Sequence, residues 1–331
     1  MMGRTMLCAA ALAVSLAMPG VAKAASVVDS FTSLWVLGDS LSLSLSLSLS
    51  VNGNLCARTG NTVPASPPYD NGRFSNGPVW NEPILDEFEA ASEPAGNFAE
   101  GGATAVADGD FDEDLPMQLT GLGARQGDFG DRPLVSLWFG ANELFDTIGI
   151  ADANARAIEA ADAIGDAFGT LSGLGVSDIL LFTLPDLGRI PSYALFQPTL
   201  AADASEATAI FNDRLFERIG SLDPGLTFHI VDAFRLFNQL LADPNAFGVS
   251  EVTVPCVFPS AEIAELFMQP QVCDSDTGND RAFLDSVHPN ATIQAALSDQ
   301  AVAAAVPLPA GAPLLLTGLV LLGARRLRRA A

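Results

Sequence analysis

Four short stretches of the chain carry groups able to do chemistry together. They are Gly38-Asp39-Ser40, Asn97 to Gly102, Gly140-Ala141-Asn142-Glu143 and Asp285-Ser286-Val287-His288-Pro289. A serine hydroxyl is a poor nucleophile until a neighbouring imidazole takes its proton. His288 has Asp285 three residues earlier on the same loop, where a carboxylate can orient the ring and stabilise its charged form. A tetrahedral oxyanion needs donors already in place. The backbone N–H groups of Ser40 and Gly102 and the side-chain amide of Asn142 would supply three. The candidate set is therefore Ser40, Asp285 and His288 as reacting groups, with Ser40, Gly102 and Asn142 as an oxyanion hole. Each piece is a weak signal alone, and the four in this order are a strong one.

The remaining residue types narrow the chemistry. Lys23 is the only lysine and lies within the first 25 residues, so Schiff-base and phosphate-loop lysines are excluded once that segment is removed. With only two histidines, His229 and His288, a multi-histidine metal site cannot be built, and no cofactor is implied. His229 sits inside an apolar run and reads as a core or strand-end residue.

Elements that must position these groups alternate along the chain. Strands are predicted at 33–38, 96–100, 132–140, 177–184 and 226–233. Helices are predicted at 81–91, 151–175, 204–222 and 233–244. Five apolar strands with helices between them imply an α/β fold: a parallel sheet covered on both faces, in one domain. Each chemical stretch follows a strand end, where α/β proteins gather their sites. The 331 residues suffice for such a core, and 49 % apolar with 17 % charged content is globular. The formal charge is −23, and six of the 16 basic residues lie at the two ends. Between them, ten arginines face 39 acids, a net of −29 that repels phosphate backbones and makes nucleic acid an unsuitable partner.

These blocks resemble the GDSL-type lipase/esterase family, also called SGNH hydrolases. The resemblance rests on "PPYDNGRFSNGPVW" (67–80), "NFAEGGATA" (97–105), "LWFGANELFD" (137–146), "LPDLGRIP" (184–191) and "FLDSVHPN" (283–290). It implies a three-layer α/β/α sandwich on a five-stranded parallel sheet, flavodoxin-like in topology. It also implies a serine esterase or lipase that cleaves carboxylic esters through an acyl-enzyme. Ser40 would be the nucleophile, His288 the base, Asp285 its orienting group, and Gly102 and Asn142 the partners of Ser40 in the oxyanion hole. Gly102 is preferred to Gly101 because it lies five residues after Asn97, as in the family's pattern. Glu143 stands where the family commonly has Asp.

A second departure is the five-fold Leu-Ser repeat at 41–50, directly behind the nucleophile. Without residues 43 to 50 the chain reads "GDSLSVNGNL", which fits the family's first block. The expansion can be a tolerated bulge, an apolar lip for an acyl chain, or a displacement of Ser40 that disables the site. The last case would leave a non-catalytic surface protein on the same fold. A polysaccharide deacetylase, with the same chemistry on another alcohol, is a further alternative.

The two ends read as addresses. Residues 1–25 have Arg4, an apolar run and a small-residue string, as a secretory signal peptide does. Residues 26–305 form the hydrolase domain. In 306–331, Val-Pro-Leu-Pro-Ala, an apolar span to about residue 324 and four arginines follow one another. That order resembles exosortase-type sorting tails of Gram-negative bacteria, which implies a transient membrane anchor and a sorting protease as partner. The alternative is a plain single-pass anchor. Both place the domain beyond the inner membrane, at the cell surface or outside. In that oxidising setting Cys256 and Cys273, flanking a Pro-containing loop, are expected to pair, leaving Cys56 over.

Overall fold

The run Ser33–Gly38 forms the first strand, β1, and all six of its residues are buried. Only a strand covered on both faces lacks a polar alternation. The same holds for β3 (Pro133–Trp138) and β4 (Asp178–Phe182). The computed structural model describes residues 26–44, 68–109, 113–150, 152–221, 225–273 and 280–306. With β2 (Ala95–Asn97) and β5 (Thr227–Val231), these strands make one five-stranded parallel sheet in the order β2-β1-β3-β4-β5. Registers run Val36 opposite both Asn97 and Ser136, Ser136 opposite Leu180, and Leu180 opposite His229.

Helices cover the sheet. They are α1 (Glu82–Ala91), α2 (Leu115–Gly123), α3 (Ala141–Thr147), α4 (Ala153–Gly173), α5 (Ala201–Gly220), α6 (Ala233–Ala242), α7 (Ala261–Leu266) and α8 (Ala291–Ala305). The long helices α4 and α5 pack on each other with α2 and α3 beside them, while α8 reaches α1, β4 and β5. The fold is an α/β/α sandwich. Its core runs from Trp35 and Leu37 through Phe168 and Phe211 on one side and Trp80, Ile84 and Phe88 on another. The strand order reverses between β1 and β3, so the crevice at their carboxyl ends is where a ligand fits.

Three departures from the sequence reading have physical causes. β2 stops at Asn97, three residues short of the predicted end, because the Asn97 side chain accepts from Ala99 N–H (2.9 Å) and turns the chain. The helices α2 and α3 were hidden in stretches read only as loops or motifs. α8 is alanine-rich and lacks a clear apolar stripe, yet its N-cap Asn290 accepts from Ile293 N–H (2.9 Å) and starts it firmly. A disulfide joins Cys256 to Cys273, with Cα atoms 5.0 Å apart. Among the described residues no helix is long and apolar enough to cross a membrane. Residues 1–25, Cys56 and 307–331 lie outside the described residues.

Candidate active site

β1 ends at Gly38, and Asp39 makes the turn that follows. Its Oδ1 accepts from Leu41 N–H (2.9 Å), and its carbonyl accepts from Ser42 N–H (3.0 Å). This Asx turn lifts Ser40 off the strand end. Gln118 on α2 holds the last strand residue from both sides, accepting from Gly38 N–H and donating to Gly38 O at 2.9 and 2.8 Å.

The first residues of the Leu-Ser repeat belong to the core. Ser42, Leu43 and Ser44 are buried. Asn97 Nδ2 donates to Ser42 O (2.8 Å) and Ser44 Oγ (3.1 Å), Asn81 Nδ2 also donates to Ser42 O, and Trp80 Nε1 donates to Ser42 Oγ (3.1 Å). Residues 45–50 of the repeat lie outside the described residues.

His288 arrives from the other side of the cleft, on the loop just before α8. Its Nε2 is 2.8 Å from Ser40 Oγ, and its Nδ1 is 2.8 Å from Asp285 Oδ2. Asp285 Oδ1 accepts from the backbone N–H groups of Val287 (2.9 Å) and His288 (2.7 Å). The carboxylate therefore folds its own loop back so that the ring follows it. Burial by itself would push the Asp285 carboxyl up. The charge and hydrogen bond of His288, a hydrogen bond from Tyr69 and the Val287 N–H outweigh it and bring it down to about 2. On the far side of Ser40, Asp39 behaves in the opposite way. Burial drives it up to about 7, and the Leu41 N–H and the His288 charge only partly offset that.

Asn142 stands in the first turn of α3. The residue before this helix, Gly140, has φ +114°, and a Cβ there would lie 2.4 Å from the Phe211 ring, so only glycine makes this entry. Asn142 Nδ2 donates to Ala103 O (2.9 Å), which couples it to the loop after β2. An amide has two N–H donors, and this bond uses one. Glu143 ties the same loop down, accepting from the N–H groups of Ala105 and Val106. Burial raises its carboxyl and those N–H groups pull it back. This explains a long carboxylate at the position after Asn142.

The structure thus brings Ser40, His288 and Asp285 into one hydrogen-bonded line and gathers Gly102 and Asn142 around the same cavity. That cavity, about 200 Å³, is lined by Ser40, Gly102, Asn142 and His288 at one end. Most of the rest is apolar, with Pro185 and Ile190 from the loop after β4, Ala233, Leu236, Phe237 and Leu240 from α6, and Leu297 from α8, while Asp39 and Trp138 also border it. The i, i+3, i+4, i+7 spacing on α6 was visible in the sequence, but such a stripe reads equally as core. Two aromatic residues near the reacting groups, Tyr69 and Phe74, were not singled out. Their signal was their place in the 67–80 block, of which 71–78 reads either as a lining of the cleft mouth or as a turn-rich loop.

An α/β sandwich with a serine, histidine and aspartate aligned at the carboxyl edge of its sheet, beside an apolar cavity, has the architecture of a hydrolase. A model of the GDSL-like lipase/acylhydrolase family matches residues 34–301, and the chain belongs to that family. It is a hydrolase acting on esters. The phosphatidylcholine-sterol acyltransferase of Aeromonas hydrophila is 34 % identical over 242 residues, which cover 71 % of this chain and 68 % of that protein. Among solved structures, the acetylxylan esterase Axe2 of Geobacillus stearothermophilus is 12 % identical, covering 84 % of this chain and 95 % of its own, with a TM-score of 0.40. The hydrolase LAE5 from the Lake Arreo metagenome is 14 % identical, covering 83 % and 94 %, with a TM-score of 0.42. Likeness at that level carries no argument about substrate.

Proposed function

We propose that the chain is an exported serine esterase that cleaves carboxylic esters of aliphatic acids through an acyl-enzyme. The observation that carries this reading is the 2.8 Å contact between Ser40 Oγ and His288 Nε2, continued at 2.8 Å from Nδ1 to Asp285. With Nδ1–H donated to the carboxylate, the lone pair on Nε2 faces the serine hydroxyl, as a general base requires. Ser40 Oγ attacks the ester carbonyl while its proton passes to Nε2. The carbonyl oxygen becomes an oxyanion held by the N–H groups of Ser40 and Gly102 and by the second N–H of Asn142. The imidazolium then gives that proton to the leaving alkoxide, releasing the alcohol and leaving the acyl group on Ser40. Water, deprotonated by the same nitrogen, removes it as the carboxylic acid.

The wall of the cavity favours the acyl class. Beyond the reacting groups it is mostly aliphatic and aromatic, with Asp39 and the Trp138 indole the polar exceptions, which suits a hydrocarbon chain better than a sugar. The relative named for phosphatidylcholine and sterol is consistent with a lipid ester. The Cys256–Cys273 disulfide supports the exported reading of residues 1–25, with 306–331 as a sorting or anchoring tail.

The test is Ser40→Ala. It should abolish turnover of p-nitrophenyl esters and labelling by a fluorophosphonate, and unchanged labelling removes the assignment. For the acyl class, Ala233→Leu narrows the apolar wall. It should lower the ratio of octanoyl to acetyl kcat/KM about tenfold, since lost methylene contacts are worth 1–3 kcal/mol each. An unchanged ratio places the acyl chain elsewhere.

A further inference from the structure

The hydrogen-bonded line does not end at Asp285. The Tyr69 hydroxyl donates to Asp285 Oδ2 at 2.7 Å, the same oxygen that faces His288 Nδ1. The tyrosine belongs to a strap, residues 69–77, that lies across the loop carrying both groups. Five residues on, the Phe74 ring stacks on the His288 imidazole, with centroids 4.7 Å apart and planes 28° apart. The Tyr69 and Phe74 rings meet edge to face at 6.5 Å. The opposite side of Phe74 fills the space a Cβ would need at Gly101, 2.7 Å from its ring, so Phe74 is wedged between the imidazole and the loop that carries Gly102.

The strap is itself fixed. Arg73 makes a two-pronged contact with Glu82 on α1 (2.7 and 2.8 Å) and a third with Asp70 (2.9 Å). Asp70 N–H donates to Ser75 O, and Asn76 Oδ1 accepts from Ala291 N–H at the start of α8. A segment held this firmly presents a hydroxyl and a ring at fixed positions, which is what orientation of a general base needs.

We infer that Tyr69 is a positioning residue of the reaction, a fourth member of the line that fixes Asp285 and through it the imidazole. This rests on the reading of Ser40, His288 and Asp285 as the reacting groups. Among the described residues the phenol donates to Asp285 alone. It is kept protonated first by burial and then by the Asp285 charge and hydrogen bond, all of which push its pKa well above the ordinary value. It therefore acts as a permanent donor. With Tyr69 and two backbone N–H groups on the carboxylate, rotation of Asp285 breaks several bonds at once, so the oxygen facing Nδ1 stays in line. The donor also draws charge from the carboxylate and moderates its hold on an imidazolium. Among the described residues, the titratable groups around the Asp285–His288 pair are Tyr69 on the carboxylate and Asp39, which interacts with the His288 charge, while Arg73 is occupied by Glu82 and Asp70.

Tyr69→Phe removes the hydroxyl and keeps the ring against Phe74, so it is the informative variant. Its kcat with a p-nitrophenyl ester should fall about tenfold with KM unchanged, because the lost bond is to a charged group. The acid limb of kcat/KM should move upward by on the order of half a pH unit, since a carboxylate with one donor fewer holds the imidazolium more tightly. A role in packing alone lowers the melting temperature and leaves the acid limb in place. Wild-type kcat and an unmoved acid limb, or an unmoved limb with a lowered melting temperature, would overturn the inference. Should Ser40→Ala keep its turnover, the underlying assignment falls instead, so the two failures are separable.

Discussion

The molecule holds two Asp–His pairs, one at each end of the sheet, and only one of them has the makings of a site. At the carboxyl edge, His288 contacts Asp285 at 2.8 Å, and its other nitrogen faces a serine hydroxyl at 2.8 Å. At the amino edge, His229 Nε2 contacts Asp178 at 2.9 Å, and Nδ1 faces the Ala304 carbonyl at 3.2 Å. Each imidazole has an aromatic neighbour: Phe74 stacked on His288, Phe31 edge-on to His229 at 5.6 Å. The pairs differ in what completes them. Asp178 takes two N–H groups of Arg132 (3.2 and 2.9 Å), whereas Asp285 takes a neutral phenol. Asp178 is balanced by a permanent cation, and its histidine ends on an acceptor with no proton to give. Asp285 and its histidine end on a hydroxyl that opens into a cavity. The third partner and the space beside it distinguish a site from a strut.

The largest effect that can break this comparison comes from removing each ring. His288→Ala should lower kcat by at least about 10³-fold and also lower stability by about 2 kcal/mol, since the ring is only 12 % exposed, bonds Asp285 and stacks on Phe74, so that turnover is what separates it from the other pair. His229→Ala should leave kcat within about twofold and lower stability by about 2 kcal/mol. It removes one bond to a charged group and one ring contact, while Arg132 still satisfies Asp178. Esterase kinetics and urea denaturation on the two variants decide it. A large loss of turnover in the second, with folding intact, would mean that the amino-edge pair reaches the chemistry.

The two pairs also differ in how far the sequence revealed them. Asp285 and His288 were legible because a three-residue spacing on one loop is local, and a following proline ends any helix there. Asp178 and His229 are 51 residues apart and meet only because β4 and β5 lie side by side with Leu180 opposite His229. The sequence reading could therefore place His229 in an apolar run and give it no partner. The strands were legible for the same local reason, as apolar runs of the right length. Tyr69 was not, since nothing in its neighbourhood announces a carboxylate 216 residues away. The cavity was not either, because an apolar helix face looks the same whether it covers a core or lines a hollow. Of the Leu-Ser repeat, Ser42 and Ser44 are buried behind Ser40 and held by Asn97, Asn81 and Trp80, partners that no local pattern announces.

A finer effect sharpens the contrast within the carboxyl-edge site, where two carboxyls flank one imidazole and are displaced in opposite directions. Asp285 is held at about 2 against an ordinary 3.8, so its contribution to stability is present above pH 4 and is lost as pH falls through 2. Asp39 is raised to about 7, so its contribution is complete below pH 4 and is lost as pH rises through 7. Between pH 4 and pH 7 Asp39 stays protonated in the native protein but ionises in the unfolded chain, and the native protein should lose on the order of 1 to 2 kcal/mol of stability from it once relaxation of the buried site is allowed for. Asp39→Asn retains an oxygen for the Leu41 N–H and has no charge to acquire. Its stability should therefore be flatter across that range, with the native protein and the variant diverging toward alkaline pH. Parallel curves for the two would mean that Asp39 titrates as an ordinary carboxyl, and that the turn beneath Ser40 is wetter than its burial implies.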